Sequence, residues 1–208
     1  MTDALPAPLP PFLPEALRRE ASAVALQRGG KLFHCGERVS HIHFVVAGEL
    51  LAVRYLRDGS EAVMQRARGG EFFAQSAMLV PHYSCDARAA CASEIVRLPV
   101  EALRDTLAAD GRFALAFAGQ MAADLRRQCT RVERLRIKRA RDRVRHYLVC
   151  EGPLAADARL QDWAHELGLE PETLYRALAE LETGGEIVRE GRAVRLAANP
   201  PAAPSCAG

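Results

Sequence analysis

From Gly36 to about Pro99 apolar and polar residues alternate in short runs: HIHFVVAGEL, LAVRYL, EAVMQRAR, CDARAACAS and EIVRLP. The runs are broken at Gly48-Glu49, Asp58-Gly59 and Gly69-Gly70. Such alternation fits half-buried strands, and Asp-Gly between two of them tolerates the positive φ of a tight hairpin turn. A succession of hairpins predicts an all-β barrel or roll. Inside it, EFFAQSAMLVPHYSCDARAA, Glu71 to Ala90, reads as a short helix leading into a strand.

After Pro99 the period changes. VEALRDTLAAD is a short amphipathic helix ending near Gly111, and a long helix follows. On it Leu115, Ala118, Ala122, Leu125, Cys129 and Val132 recur at spacings of three and four, so they form one stripe. Seams of this kind usually meet a copy of themselves, which predicts a homodimer through residues 111–138. The alternative is packing of the stripe on the chain's own β-domain.

LQDWAHELGLEPETLYRALAELETGG, Leu160 to Gly185, reads as two amphipathic helices meeting at Gly168. A residue without a β-carbon lets the chain turn sharply there. Pro171 suits the first turn of the second helix, where its missing N–H costs nothing. Leu174, Ala177, Leu178 and Leu181 form the inner face, and Glu172, Thr173, Tyr175 and Arg176 point outward. This is the layout of a helix-turn-helix, whose second helix presents its first outward residues to base edges in a major groove. Arg176 can donate to guanine O6 and N7, and Glu172 can accept from a cytosine amino group. EIVREGRAVRL then predicts a two-stranded wing, with Arg189, Arg192 and Arg195 available for phosphates.

Charge and composition add limits. The net charge is only +2, but ten basic residues crowd between Arg126 and Arg145. Those from Lys138 and Arg139 onward are candidates for phosphate contact, which releases counterions and makes binding salt-dependent. The segment Glu151 to Glu182 is markedly acidic, so the wing and the Lys138 to Arg145 cluster are expected to supply the non-specific attraction. Six widely spread Cys, with no C-x-x-C, argue for thiols rather than a disulfide framework. No apolar run has signal-peptide or bilayer-spanning length, so a cytoplasmic protein without membrane contact is expected. No nucleophile, base and orienting group stand at recognisable spacing, and no phosphate-binding glycine loop is present, which argues against an enzyme.

With these residues in hand, the chain resembles the Crp/Fnr family of bacterial transcription regulators over about residues 14 to 197. HCGERVSHIHFVVAGEL is similar to the family's first β-roll hairpin, with Gly36-Glu37 and Gly48 at its turns. RARGGEFF resembles the approach to the ligand cassette, and ETLYR resembles the recognition-helix signature, with Glu172 and Arg176 as the base-reading pair. The resemblance implies an α+β chain in three parts. These are an N-terminal β-roll like a cyclic-nucleotide-binding jelly roll (14–110), a long dimerisation helix and hinge (111–138), and a C-terminal winged helix-turn-helix (139–199). It implies a homodimer on double-stranded palindromic DNA, acting as activator or repressor and contacting RNA polymerase if an activator.

Two departures qualify it. In the reading head, Pro171 stands where relatives often carry a polar residue and Tyr175 where Ser or Gly is usual, so the half-site is expected to differ from that of the best-known members. In the cassette, the family's Gly-Glu falls on Ala74-Gln75 and its Arg-Ser on Tyr83-Ser84. A neutral Tyr cannot replace the forked bond of an Arg to phosphate, so cyclic AMP or GMP is not expected as effector. Arg88, the nearest Arg, is expected to pair elsewhere.

The candidate effector or sensor residues are therefore Gln75, Tyr83, Ser84, Cys85, Gln128 and Cys129. Thiol chemistry at Cys85 or Cys129 and an unidentified small molecule are the leading signals. Haem through His82, Cys85 or Met78, and a metal held by His34, Cys35, His41 and His43, remain open alternatives. So do a regulator with no effector, and a sensor module whose winged helix binds protein rather than DNA.

Overall fold

The computed structural model describes residues 13–57, 59, 61–154 and 158–198. Asp58, Asp157, Cys206 and the last residue of the expected winged-helix span lie outside the described residues. The chain forms two compact units, Met1–Asp124 and Leu125–Gly208.

The first unit begins with helix α1 (Glu15–Glu20) and then runs through eight strands. These are β1 (Ser22–Leu26), β2 (Lys31–Phe33), β3 (His41–Ala47), β4 (Glu49–Tyr55), β5 (Glu61–Arg68), β6 (Phe72–Phe73), β7 (Asp86–Ala89) and β8 (Ser93–Pro99). They make two antiparallel four-stranded sheets, ordered β1-β8-β3-β6 and β2-β7-β4-β5. This is an antiparallel jelly roll, with a core between its sheets that includes Phe33, Ile42, Leu50, Phe73, Tyr83 and Ile95. Strands β4 and β5 pair as an antiparallel hairpin from Glu49↔Arg68 to Tyr55↔Glu61.

Gly48 is not a hairpin turn, contrary to the reading of the sequence. Strand β3 pairs with β6 and β8, while β4 pairs with β5 and β7, so the chain crosses from one sheet to the other at Gly48. The alternation of apolar residues is the same in both cases, and only the partners differ. Gly48 holds φ at 86°, and a β-carbon there would lie 2.3 Å from Ser93 Oγ and 2.4 Å from the Ala92 carbonyl oxygen. The crossing therefore requires glycine twice over, for its dihedral and for its space.

Helices α2 (Val100–Ala109) and α3 (Gly111–Arg136) follow. The first turns of α3 bury Phe113 and Phe117. Phe117 meets Phe72 edge-on at 4.9 Å between centroids, and Phe72 meets Phe44 at 5.3 Å, so the helix is keyed into the roll by aromatic contacts. The predicted stripe lies on another face: Leu115, Leu125 and Val132 are 77%, 65% and 62% exposed, and Ala118, Ala122 and Cys129 are exposed with them. Within the first unit, Leu115, Ala118 and Ala122 of the stripe do not pack on the roll.

The second unit contains α4 (Ala140–Cys150), α5 (Leu160–Leu167), α6 (Pro171–Thr183) and the pair β9 (Ile187–Glu190) and β10 (Ala193–Leu196). Its core joins Val144, Tyr147, Trp163, Leu167, Leu174, Leu178 and Val194. Helix α5 ends at Gly168 with φ 61°, and the Leu169 N–H reaches back to the Ala164 carbonyl at 2.9 Å. The left-handed residue satisfies carbonyls that the helix end would leave unpaired. Leu174 and Ala164 are fully buried where α5 and α6 cross, and the antiparallel β9-β10 wing follows. The fold class expected from the sequence, a jelly roll, a long helix and a winged helix-turn-helix, is the fold observed. No helix among the described residues is long and apolar enough to cross a membrane.

Gly48→Ala should lower stability by at least about 2 kcal/mol, because strain and overlap with backbone add. Gly70→Ala, at φ 92° with nothing within 4 Å, should cost only about 1 kcal/mol from the dihedral itself. Equal losses in urea denaturation would contradict the crossing geometry.

Candidate functional site

The cassette begins where β6 ends. Ala74 is held at φ 61°, the one non-glycine residue with positive φ among those described. Glycine adopts this conformation freely and alanine pays about 1 kcal/mol for it. The Ala74 N–H donates to Gln65 Oε1 at 3.2 Å, and a short 3-10 turn, Gln75–Leu79, starts from it.

Gln75 is buried and its amide is committed at both ends. Its Oε1 accepts from Gln65 Nε2 at 2.9 Å, and its Nε2 donates to Asp124 Oδ2 at 3.0 Å. Tyr83 is also internal. Its ring stacks on Phe33 at 3.6 Å, and its hydroxyl donates to the His41 carbonyl at 2.5 Å. Burial is the main reason the phenol pKa is raised, so Tyr83 stays neutral. Ser84 is exposed and its carbonyl accepts from Arg54 Nε at 2.8 Å. Arg88 pairs with Glu61 at 2.5 Å.

Cys85 is half-buried, and burial pushes its thiol pKa up against the opposing field of Arg54, with Cys35 and Asp86 raising it further. Gln128 and Cys129 lie on α3 in the second unit, Gln128 half-buried and Cys129 exposed. The metal set suggested by His34, Cys35, His41 and His43 is not assembled: among the described residues no three His, Cys, Asp or Glu side chains are grouped to hold an ion. His43 is a core residue packed near Phe33 at 5.5 Å, and burial, then His41 and Arg97, push its pKa down to about 3.

At the other end of the chain, Glu172, Tyr175 and Arg176 are exposed on the first turns of α6, with Thr173 half-buried beside them. Arg176 Nη2 lies 3.5 Å from Thr173 Oγ1. On the wing Arg189 approaches Glu182 at 3.5 Å and Arg195 approaches Glu190 at 3.2 Å, while Arg192 is exposed at the turn.

The basic run before α5 divides in a way the sequence does not announce. Arg141 and Arg145 pair with buried Glu186 at 2.6 and 3.3 Å. Arg143 donates to the carbonyls of Ile137, Leu167 and Gly168 at 2.7, 2.8 and 2.9 Å, joining the ends of α3 and α5. Arg134 is fully buried, pairs with Glu151 at 2.5 Å and sits over the Tyr147 ring. Arginines that satisfy helix-end carbonyls and a buried carboxylate are structural. Within the run from Lys138 to Arg145, Lys138 and Arg139 are exposed, while Arg141, Arg143 and Arg145 have partners inside the unit.

Residues 23–110 match the model of the cyclic nucleotide-binding domain. No curated protein sequence matches the chain. Among solved structures, FixK2 from Bradyrhizobium japonicum superposes with TM-score 0.74 at 23% identity, covering 88% of this chain and 99% of FixK2. A CRP-family transcriptional regulator from Thermus thermophilus gives 0.66 at 20% identity, covering 83% of this chain and 91% of that one. CLP, a c-di-GMP-responsive global regulator from Xanthomonas campestris, gives 0.69 at 19% identity, covering 89% and 98%. These likenesses establish a shared fold.

The buried, neutral His43 makes stability pH-dependent. Unfolded, it protonates near its ordinary value of 6.5; folded, it does not until about 3. As pH falls below the unfolded value the unfolded chain binds the extra proton, so folding weakens, by about 2 kcal/mol between pH 7 and pH 5. His43→Leu should flatten that part of the stability profile measured by urea denaturation. An unchanged slope would contradict the assignment.

Proposed function

We propose that the chain is a sequence-specific DNA-binding transcription regulator of Crp/Fnr type, acting as a homodimer, and not an enzyme. The observation that carries this reading is the α5-α6 helix-turn-helix with its wing, which leaves Glu172, Thr173, Tyr175 and Arg176 on the outward turns of the second helix. Those are the positions from which side chains reach base edges, with Arg176 suited to guanine and Glu172 to cytosine. Lys138, Arg139 and Arg192 are exposed cations that suit phosphates, and Arg189 contributes from the wing. The bare stripe of α3, Leu115 to Val132, supports self-association, since a helix face this apolar gains most by burial against a copy. An activator of this kind engages RNA polymerase as a further partner.

The signal in this reading is not a cyclic nucleotide. Gln75 and Tyr83 stand where phosphate- and ribose-binding groups are required, and both are spent on internal hydrogen bonds. The jelly roll keeps the cassette's backbone course and loses its charge. A thiol or small-molecule signal at Ser84, Cys85, Gln128 or Cys129 fits better. CLP, with the same fold, is described as responsive to c-di-GMP, so the fold itself does not dictate one ligand.

Arg176→Ala should reduce discrimination between the preferred site and a site altered at one base pair by about 1–3 kcal/mol, measured by fluorescence anisotropy. Unchanged discrimination would remove Arg176 from base reading. Cyclic AMP should leave the melting temperature unmoved, whereas a ligand at a hundred times its Kd would add about 2.7 kcal/mol of stability. A dose-dependent rise would overturn the exclusion of cyclic nucleotides.

A further inference from the structure

Arg143, in the first turn of α4, directs every N–H of its guanidinium at a backbone carbonyl. Nε and Nη2 donate to the Ile137 carbonyl at 3.2 and 2.7 Å, and Nη2 also reaches the Leu135 carbonyl at 3.4 Å. Nη1 donates to the carbonyls of Leu167 and Gly168 at 2.8 and 2.9 Å. One planar group thus holds the end of α3 to the turn between α5 and α6. Leu135 reinforces the same seam, since a β-carbon on Gly168 would lie only 2.9 Å from Leu135 Cδ2. Helix ends leave carbonyls unpaired, and each end can be capped separately by a local donor or by water. A single rigid fork that caps both does something more, because it fixes the two ends relative to each other.

All of these residues lie in the second unit, and so do Leu125, Cys129 and Val132, the last part of the open stripe on α3. The seam on which dimerisation is proposed and the helix proposed to read bases are therefore tied together inside one compact unit. Arg143 is the side chain that bonds to both sides of that tie.

We propose that Arg143 is a positioning residue that fixes the angle between α6 and the end of the dimer helix, and so sets the half-site spacing the dimer accepts. Its donors are spent on carbonyls, so it acts through α6 and not on phosphate. The role rests on the regulator reading, since only paired reading heads have a spacing to set. Two base pairs inserted between half-sites move the second one by about 7 Å and turn it by about 70° around the DNA axis. Heads fixed to the seam cannot follow that displacement, whereas heads free to pivot can. A dimer that loses its second contact forfeits an avidity gain of about a hundredfold.

The test uses the full chain as wild type, as Arg143→Met, which removes every donor, and as Arg143→Lys, whose ammonium cannot form the fork. Fluorescence anisotropy compares three duplexes: the inverted repeat selected by the wild type, that repeat with two base pairs inserted at its centre, and that repeat altered at one base pair of a half-site. The wild type should lose about a hundredfold on insertion and both variants less than about tenfold, with discrimination against the altered base pair unchanged. Hydrogen exchange without DNA supplies the second readout. The amides of Ile137, Gly168 and Leu169, which bond within the two tied ends, should exchange at least about tenfold faster in Arg143→Met, while those of Leu174 to Leu181 stay as in the wild type.

A wild type that accepts both spacings equally overturns the positioning role, and so does an unchanged insertion penalty in the folded variants. Uniformly faster exchange through the whole second unit, with base discrimination lost, is the result a merely stabilising arginine would give, and it also overturns the role. Protein that binds no DNA sequence selectively counts against the regulator reading instead, and local or uniform exchange then still decides whether Arg143 ties the two ends. Where Arg143→Met does not fold, Arg143→Lys carries both measurements, and the wild-type insertion penalty needs no substitution.

Discussion

The contact of Phe117 with Phe72 decides which side of the long helix is spoken for. Phe113 and Phe117, one turn apart on α3, are buried against the roll, and Phe72 passes the contact to Phe44 in β3. With that face committed, Leu115, Ala118, Ala122, Leu125, Cys129 and Val132 lie along a face left open. Exposed Leu and Val at heptad-like spacing on one helix are costly in water unless covered. The aromatic key therefore both fastens the helix and defines the surface on which dimerisation is proposed.

In the proposed reading the cassette keeps the backbone course of a ligand site without its charged groups. Ala74 still takes the left-handed conformation, yet the side chains after it turn inward. Gln75 bonds Gln65 and Asp124, and Tyr83 stacks on Phe33. A buried amide with both ends bonded resists displacement, because a ligand must replace each bond it breaks. Asp124 belongs to α3, so the cassette's first buried polar side chain is tied to that helix within the same compact unit.

Much of this was legible in the residues. Period-two runs marked the roll, period-three-and-four spacing marked the stripe of α3, and Gly168, Pro171 and Leu174 together marked the helix-turn-helix. Two features were not. Gly48 resembled a hairpin turn because alternation says which face a residue takes, not which strand it pairs with. The run from Lys138 to Arg145 gave candidates for phosphate contact, and the sequence did not show that Arg141, Arg143 and Arg145 meet Glu186 and helix-end carbonyls, which folding alone brings close.

The central claim is that two copies of α6 read DNA together, and selection from a random-sequence duplex pool by the reduced protein tests it most directly. The account predicts an enriched inverted repeat whose half-sites lie about one helical turn apart, as two-fold symmetry requires. Enrichment of no motif, or of a single half-site without its symmetric mate, would contradict it.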